Sequence, residues 1–95
     1  MDFAAIDFET ATGLLNSACA VGIIIVERGE IAEQYHTLIR PPDNCYWRGN
    51  IAIHGIRPED TIEAPTFGEL YPEIRKRLRG RKVVAHNESF DRGVL

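Results

Sequence analysis

Cysteine is scarce in this chain. Cys19 and Cys45 are the only two, with no CxxC spacing and no accompanying Cys/His cluster, which argues against both a disulfide framework and a zinc site. Long apolar runs are absent too: the longest, Ala18 to Val26, is too short to cross a bilayer, so no membrane role is expected. Met1-Asp2-Phe3 lacks the basic-then-apolar pattern of a secretory signal, and together these features predict a reducing, cytoplasmic setting. Excess positive charge is missing as well. Fourteen acidic against eleven basic residues leave a net charge of −3, which excludes binding nucleic acid through bulk basicity. No glycine pattern amounts to a phosphate loop, and no repeat or low-complexity linker interrupts the chain.

What is present is enough for one small domain: 95 residues, 44% of them hydrophobic, a size that buries little surface and predicts modest stability. Phe3 to Glu9 has the apolar density of a strand covered on both faces, with polar members only at its far end. Ala20 to Val26 is a second strand, rich in β-branched residues, and Arg28-Gly29 predicts a hairpin into a third strand over Ile31 to Ile39. Pro41-Pro42 ends that strand. Ile51 to Ile56 fits either a short helix or a loop, and Arg57-Pro58-Glu59-Asp60 a tight turn or one helical turn.

Thr66 and Glu69 form a capping-box pair, and Phe67, Leu70, Ile74 and Leu78 make the apolar stripe of a helix ended by Gly80. Pro72 inside it predicts a kink or a separate first turn. Arg81 to His86 reads as a fourth strand, followed by a helix from near Ser89. Strand, hairpin, helix, strand, helix is the order of an α/β sheet. The basic run from Arg75 to Lys82 reads as a solvated helix end. Tyr35, Tyr46 and Trp47 read as packing groups rather than base-stacking platforms, and His36 as structural or exposed.

The most specific signal is a pair of carboxylates. Asp7 and Glu9, one residue apart on a strand, project from the same face. Like charges held that close require a cation, a shared proton or bulk water. Mg²⁺ and Mn²⁺ favour oxygen ligands, and a two-metal phosphoryl-transfer site places its ions roughly 3.5–4 Å apart, so Asp7 could bridge both while Glu9 binds one. If the fourth strand lies beside the first, the loop after it ends near the same edge, and Asp91 in the first turn of the next helix can face Asp7.

Asp7-Phe8-Glu9-Thr10, Ser17-x-x-x-Val21-Gly22, His54-Gly55-Ile56 and His86-Asn87-x-x-Phe90-Asp91 occur in order across nearly the whole chain. Together they resemble the DEDD exonuclease superfamily, in the branch that includes the proofreading epsilon subunit of bacterial DNA polymerase III. The resemblance implies a ribonuclease H-like mixed sheet flanked by helices. It also implies a 3′–5′ exonuclease that uses two divalent ions, Mg or Mn, to release nucleoside monophosphates from a single-stranded 3′ end of DNA, with RNA as the alternative. A DNA polymerase subunit is the implied partner, and a noncatalytic nucleic-acid or polymerase-binding module is the competing reading.

Carried over by residue, the resemblance makes Asp7, Glu9 and Asp91 the metal ligands. It places Phe8, Thr10, the loop to Leu14, His54 and Asn87 at the substrate, and leaves Phe90 to packing. The family's third motif, with its general-base histidine and fourth carboxylate, would follow Leu95. Residues 1–95 are therefore expected to be the N-terminal part of one exonuclease domain, C-terminally incomplete in its last strand and helix and weak or inactive by itself. Neither His54 nor His86 is assigned as the base.

Overall fold

The computed structural model describes residues 1–14 and 16–85. Four strands form one mixed sheet in the order β3-β2-β1-β4: β1 Phe3–Thr10, β2 Ala18–Glu27, β3 Glu30–Leu38 and β4 Val83–Ala85. β1 and β3 run antiparallel to β2, whereas β4 pairs parallel with β1 (Ala4↔Val83, Ile6↔Ala85). This is the expected α/β architecture. The expected helix from near Ser89, along with His86, lies outside the described residues.

The β2–β3 hairpin turns on Arg28 and Gly29, both at positive φ (56° and 78°), the geometry whose twist matches that of the flanking strands. Glycine adopts it freely; Arg28 is held there by a 2.8 Å bond from its N–H to the Asp2 carboxylate.

Side chains alternate across β1. Ala4, Ile6, Phe8 and Thr10 are buried on one face, joined there by Val21, Ile23 and Ile25 of β2. Helix α3, Phe67–Leu78, closes this core with Leu70 and Ile74. The opposite face carries Phe3, Ala5, Asp7 and Glu9, none of them buried. The expectation that β1 is covered on both faces is thus corrected: the helices described here lay one apolar layer on the sheet. The alternation was concealed because apolar Phe3 and Ala5 occupy the open face.

Ile51 to Ile56 resolves into a helix, α1 (Arg48–His54), ended by Gly55 in the left-handed region (φ 75°), and the proline turn into a single-turn helix, α2 (Pro58–Thr61). The Thr66–Glu69 capping box forms as expected. α3 runs as one helix through Pro72, so its first turn is not a separate element. The hydrogen bond that Pro72 cannot donate would go to the carbonyl four residues back, that of exposed Gly68, where water can take its place.

Most of the basic run is exposed, as expected. Arg77 and Arg81 are the exceptions, and Arg77 is the more covered: it pairs with Glu33 and Glu73, both at 3.2 Å, and lies 3.8 Å from the Tyr35 ring centroid, which clamps α3 to β3.

The capping box makes α3 acid-sensitive. The Thr66 backbone N–H donates to Glu69 at 2.9 Å and holds its carboxyl below the usual glutamate range. A depressed folded-state pKa contributes stability that is complete above the unfolded-state value and is lost as pH falls through the folded one. Glu69→Gln should therefore lower the neutral plateau of a stability-versus-pH curve measured by urea titration and flatten its acid limb, leaving stability at low pH nearly unchanged.

Candidate active site

The site grows from the end of β1. Asp7 stands opposite Gly22 and Glu9 opposite Ala20, so no bulky β2 neighbour crowds either carboxylate. Asp7 is exposed and Glu9 half-buried. Among the described residues neither carboxylate takes part in an ion pair or accepts a side-chain hydrogen bond. A groove of about 490 Å³ runs along this face, lined by Asp7, Gly22, Ile24, His36 and Val84 among others. His36 is exposed and lies in register with Gly22, so Gly22 leaves a gap between the imidazole and Asp7.

Directly after Glu9 the register slips: Glu9 faces Ala20 but Thr10 faces Ala18, leaving Cys19 as the extra residue of a bulge. The chain then enters a loop closed on itself. Ser17 Oγ accepts from the Thr12 N–H (3.1 Å) and donates to the Leu14 carbonyl (2.7 Å), and the Ala11 N–H donates to the Ser17 carbonyl (2.8 Å).

Helix α1 grips this loop from outside. Gly55 turns the chain so that the Ile56 N–H donates to His54 Nδ1 at 2.9 Å, which leaves Nε2 as the protonated nitrogen, donating to the Thr10 carbonyl at 2.9 Å. Trp47 donates its backbone N–H to the Ala11 carbonyl (2.8 Å). Its ring packs so closely on Gly13 that a Cβ there would sit 2.7 Å from the indole.

Of the residues read from sequence, Asp7 and Glu9 share one face, and Thr10, Leu14 and His54 gather at the adjoining loop. Leu14 is 59% exposed, whereas Thr10 is buried and presents its backbone to α1. Phe8 must be corrected. It is 5% exposed in the core, 6.2 Å between ring centroids from Phe67, because alternation along β1 turns it away from the carboxylates. Asp91 and Asn87 lie outside the described residues. The sequence reading missed Asn50, whose amide donates to the Thr10 and Thr12 carbonyls, both at 3.0 Å. Its spacing four residues before His54 was the available signal.

Cys19 lies behind the loop, fully buried, 3.8 Å from His54 Nε2. Burial pushes its thiol up to about 11, with the Glu9 charge adding to the rise and a bond with Tyr46 partly offsetting it. Tyr46 is itself raised to about 12 by burial. Only a thiolate reacts readily, so at about pH 8 a disulfide reagent should modify exposed Cys45 quickly and Cys19 only after denaturation, giving one fast equivalent per chain.

The two carboxylates suit a hard divalent cation: both supply oxygen donors from a rigid strand and have no competing cationic partner among the described residues. No group of three His, Cys, Asp or Glu side chains comes together among those residues.

Comparison with known proteins decides the family. The RNase_T model, described as Exonuclease, matches residues 4–95. The chain belongs to this exonuclease family. Within the family it is 35% identical over 92 residues to the PolC-type DNA polymerase III of Thermotoga petrophila, covering 94% of this chain and 7% of that protein. It is 31% identical over 71 residues to the DNA polymerase III epsilon subunit of Escherichia coli K12, covering 75% of this chain and 29% of the relative. Exonuclease X in complex with 5′ overhanging duplex DNA superimposes with a TM-score of 0.82 at 31% identity, over 98% of this chain and 53% of that one. The exonuclease-family chain thus spans well under a tenth of its PolC relative and about half of Exonuclease X. The match supports the ribonuclease H-like fold. No helix among the described residues is long and apolar enough to cross a membrane.

Proposed function

We propose that this chain carries the metal-binding face of a 3′–5′ exonuclease that removes nucleoside monophosphates from single-stranded DNA ends in proofreading or repair. The observation that carries the reading is the Asp7–Glu9 pair on the open face of β1, with no cationic partner among the described residues, in a chain matched from residue 4 to residue 95 by an exonuclease family model. Asp7 and Glu9 would hold the divalent ions, with Asp91 as the third carboxylate. Such ions lower the pKa of a bound water and stabilise a departing 3′ oxygen.

The residues themselves bind and orient. Leu14, exposed in the loop that follows β1, offers an apolar surface to the terminal base. His54, bonded on both ring nitrogens, fixes the Thr10 backbone rather than moving a proton. Asn87 completes the substrate set. A DNA polymerase assembly in the cytoplasm is the proposed setting, by relation to the polymerase III proteins above.

Anisotropy of labelled single strands tests this. Mn²⁺ should strengthen binding of DNA with a free 3′ end over a 3′-blocked strand, and Asp7→Asn should abolish the preference. A matched RNA strand reports sugar selectivity. Binding that ignores metal, end chemistry and Asp7 alike would instead identify a noncatalytic nucleic-acid module.

A further inference from the structure

The Asn50 side chain is the point at which helix α1 and the end of β1 are joined. An amide carries two hydrogens, and both are used: Nδ2 lies 3.0 Å from the Thr10 carbonyl and 3.0 Å from the Thr12 carbonyl, with the Thr10 hydroxyl at 3.4 Å. Both principal acceptors are carbonyls, so the donor nitrogen must face them. One helical turn later His54 donates to the same Thr10 carbonyl at 2.9 Å. That carbonyl lies one residue after Glu9, past the bulge, where Thr10 makes the last pairing of β1, with Ala18. Beyond it the ladder ends: Ser17 and the Trp47 backbone hold Ala11 and Thr12 from one side, and the two α1 side chains hold the Thr10 and Thr12 carbonyls from the other.

We propose that Asn50 is a positioning residue, which sets the loop from Ala11 to Leu14 relative to Asp7 and Glu9 and so places the terminal nucleotide against the metal-binding face. This rests on the exonuclease reading above. Asn50 is hydrogen-bonded to neither carboxylate. It acts through the Thr10 and Thr12 backbone, so its loss should move the nucleotide's seat while leaving the metal ligands on their rigid strand. A group that merely stabilises the fold would affect both together.

The test separates metal from nucleotide. Mn²⁺ alone is titrated by calorimetry, and thymidine 5′-monophosphate in saturating Mn²⁺ is followed by the fluorescence of Trp47, the only tryptophan, whose backbone is bonded to the same loop. Asn50→Ala should leave Mn²⁺ affinity within about twofold and weaken nucleotide binding by about tenfold or more, since small displacements of a bound group are costly. Should that variant fail to fold, Asn50→Ser, which keeps one donor, decides the matter with a loss of about threefold in nucleotide affinity at unchanged Mn²⁺ affinity, the worth of one hydrogen bond.

Nucleotide affinity equal to wild type in a folded variant, or Mn²⁺ and nucleotide affinities falling in parallel, overturns the positioning role alone. Absence of Mn²⁺-dependent nucleotide binding in the wild-type chain overturns the exonuclease reading, and the positioning role with it.

Discussion

Asp7→Ala should abolish most of the Mn²⁺ uptake expected of the wild-type chain in a calorimetric titration. Removing an outer-shell partner of a metal ligand already costs 10–100-fold in affinity, so deleting a ligand should cost about 100-fold or more. The effect is large because Asp7 is the exposed member of a pair held on a strand, and Glu9 alone cannot supply the charge that offsets dehydration of a small divalent ion. Stability should move little, since no ion pair or side-chain hydrogen bond of Asp7 is lost among the described residues. Removing one of two like charges relieves repulsion. Superimposable titrations for the two proteins would remove the metal assignment at these positions.

Phe8→Ala should destabilise the chain by about 3–5 kcal/mol, the usual cost of truncating a buried aromatic. Small domains hold about 5–15 kcal/mol in total, so a large part of the population should be lost at physiological temperature. The urea midpoint, followed by far-ultraviolet circular dichroism, should fall sharply, and Phe8→Leu should recover most of it because volume is largely retained. The reason is packing: Phe8 fills the layer between Val21, opposite on β2, and Phe67 on α3. A Phe8→Ala protein with unchanged stability and weakened nucleotide binding would return this side chain to the substrate site.

The two predictions concern adjacent residues with unrelated work, and the contrast shows what a linear reading can reach. The period of two along β1 is enough to put Asp7 and Glu9 together and Phe8 apart from them. Motif resemblance groups Phe8 with its neighbours because it follows sequence adjacency, whereas a strand sends adjacent side chains to opposite faces. The covered-both-faces reading of β1 failed for a related reason: Ala5 is apolar in composition, yet it lies on the half-covered side. Pro72 misled through a local rule whose lost hydrogen bond falls on the carbonyl of exposed Gly68, where water can replace it.

Composition, alternation and punctuation were sufficient for the strands, the Arg28-Gly29 hairpin, the capped α3 helix and the carboxylate pair, because each depends on contacts within a few residues. The bulge at Cys19, the bond from His54 to the Thr10 carbonyl and the grip of Asn50 on the Thr10–Thr12 backbone were decided only in three dimensions. Each joins groups separated by about ten to forty positions, and no local propensity encodes a hydrogen bond whose partner is supplied by another element. The Asp7–Glu9 face can thus be read from one strand, but the loop that would place a nucleotide against it exists only once α1 has docked.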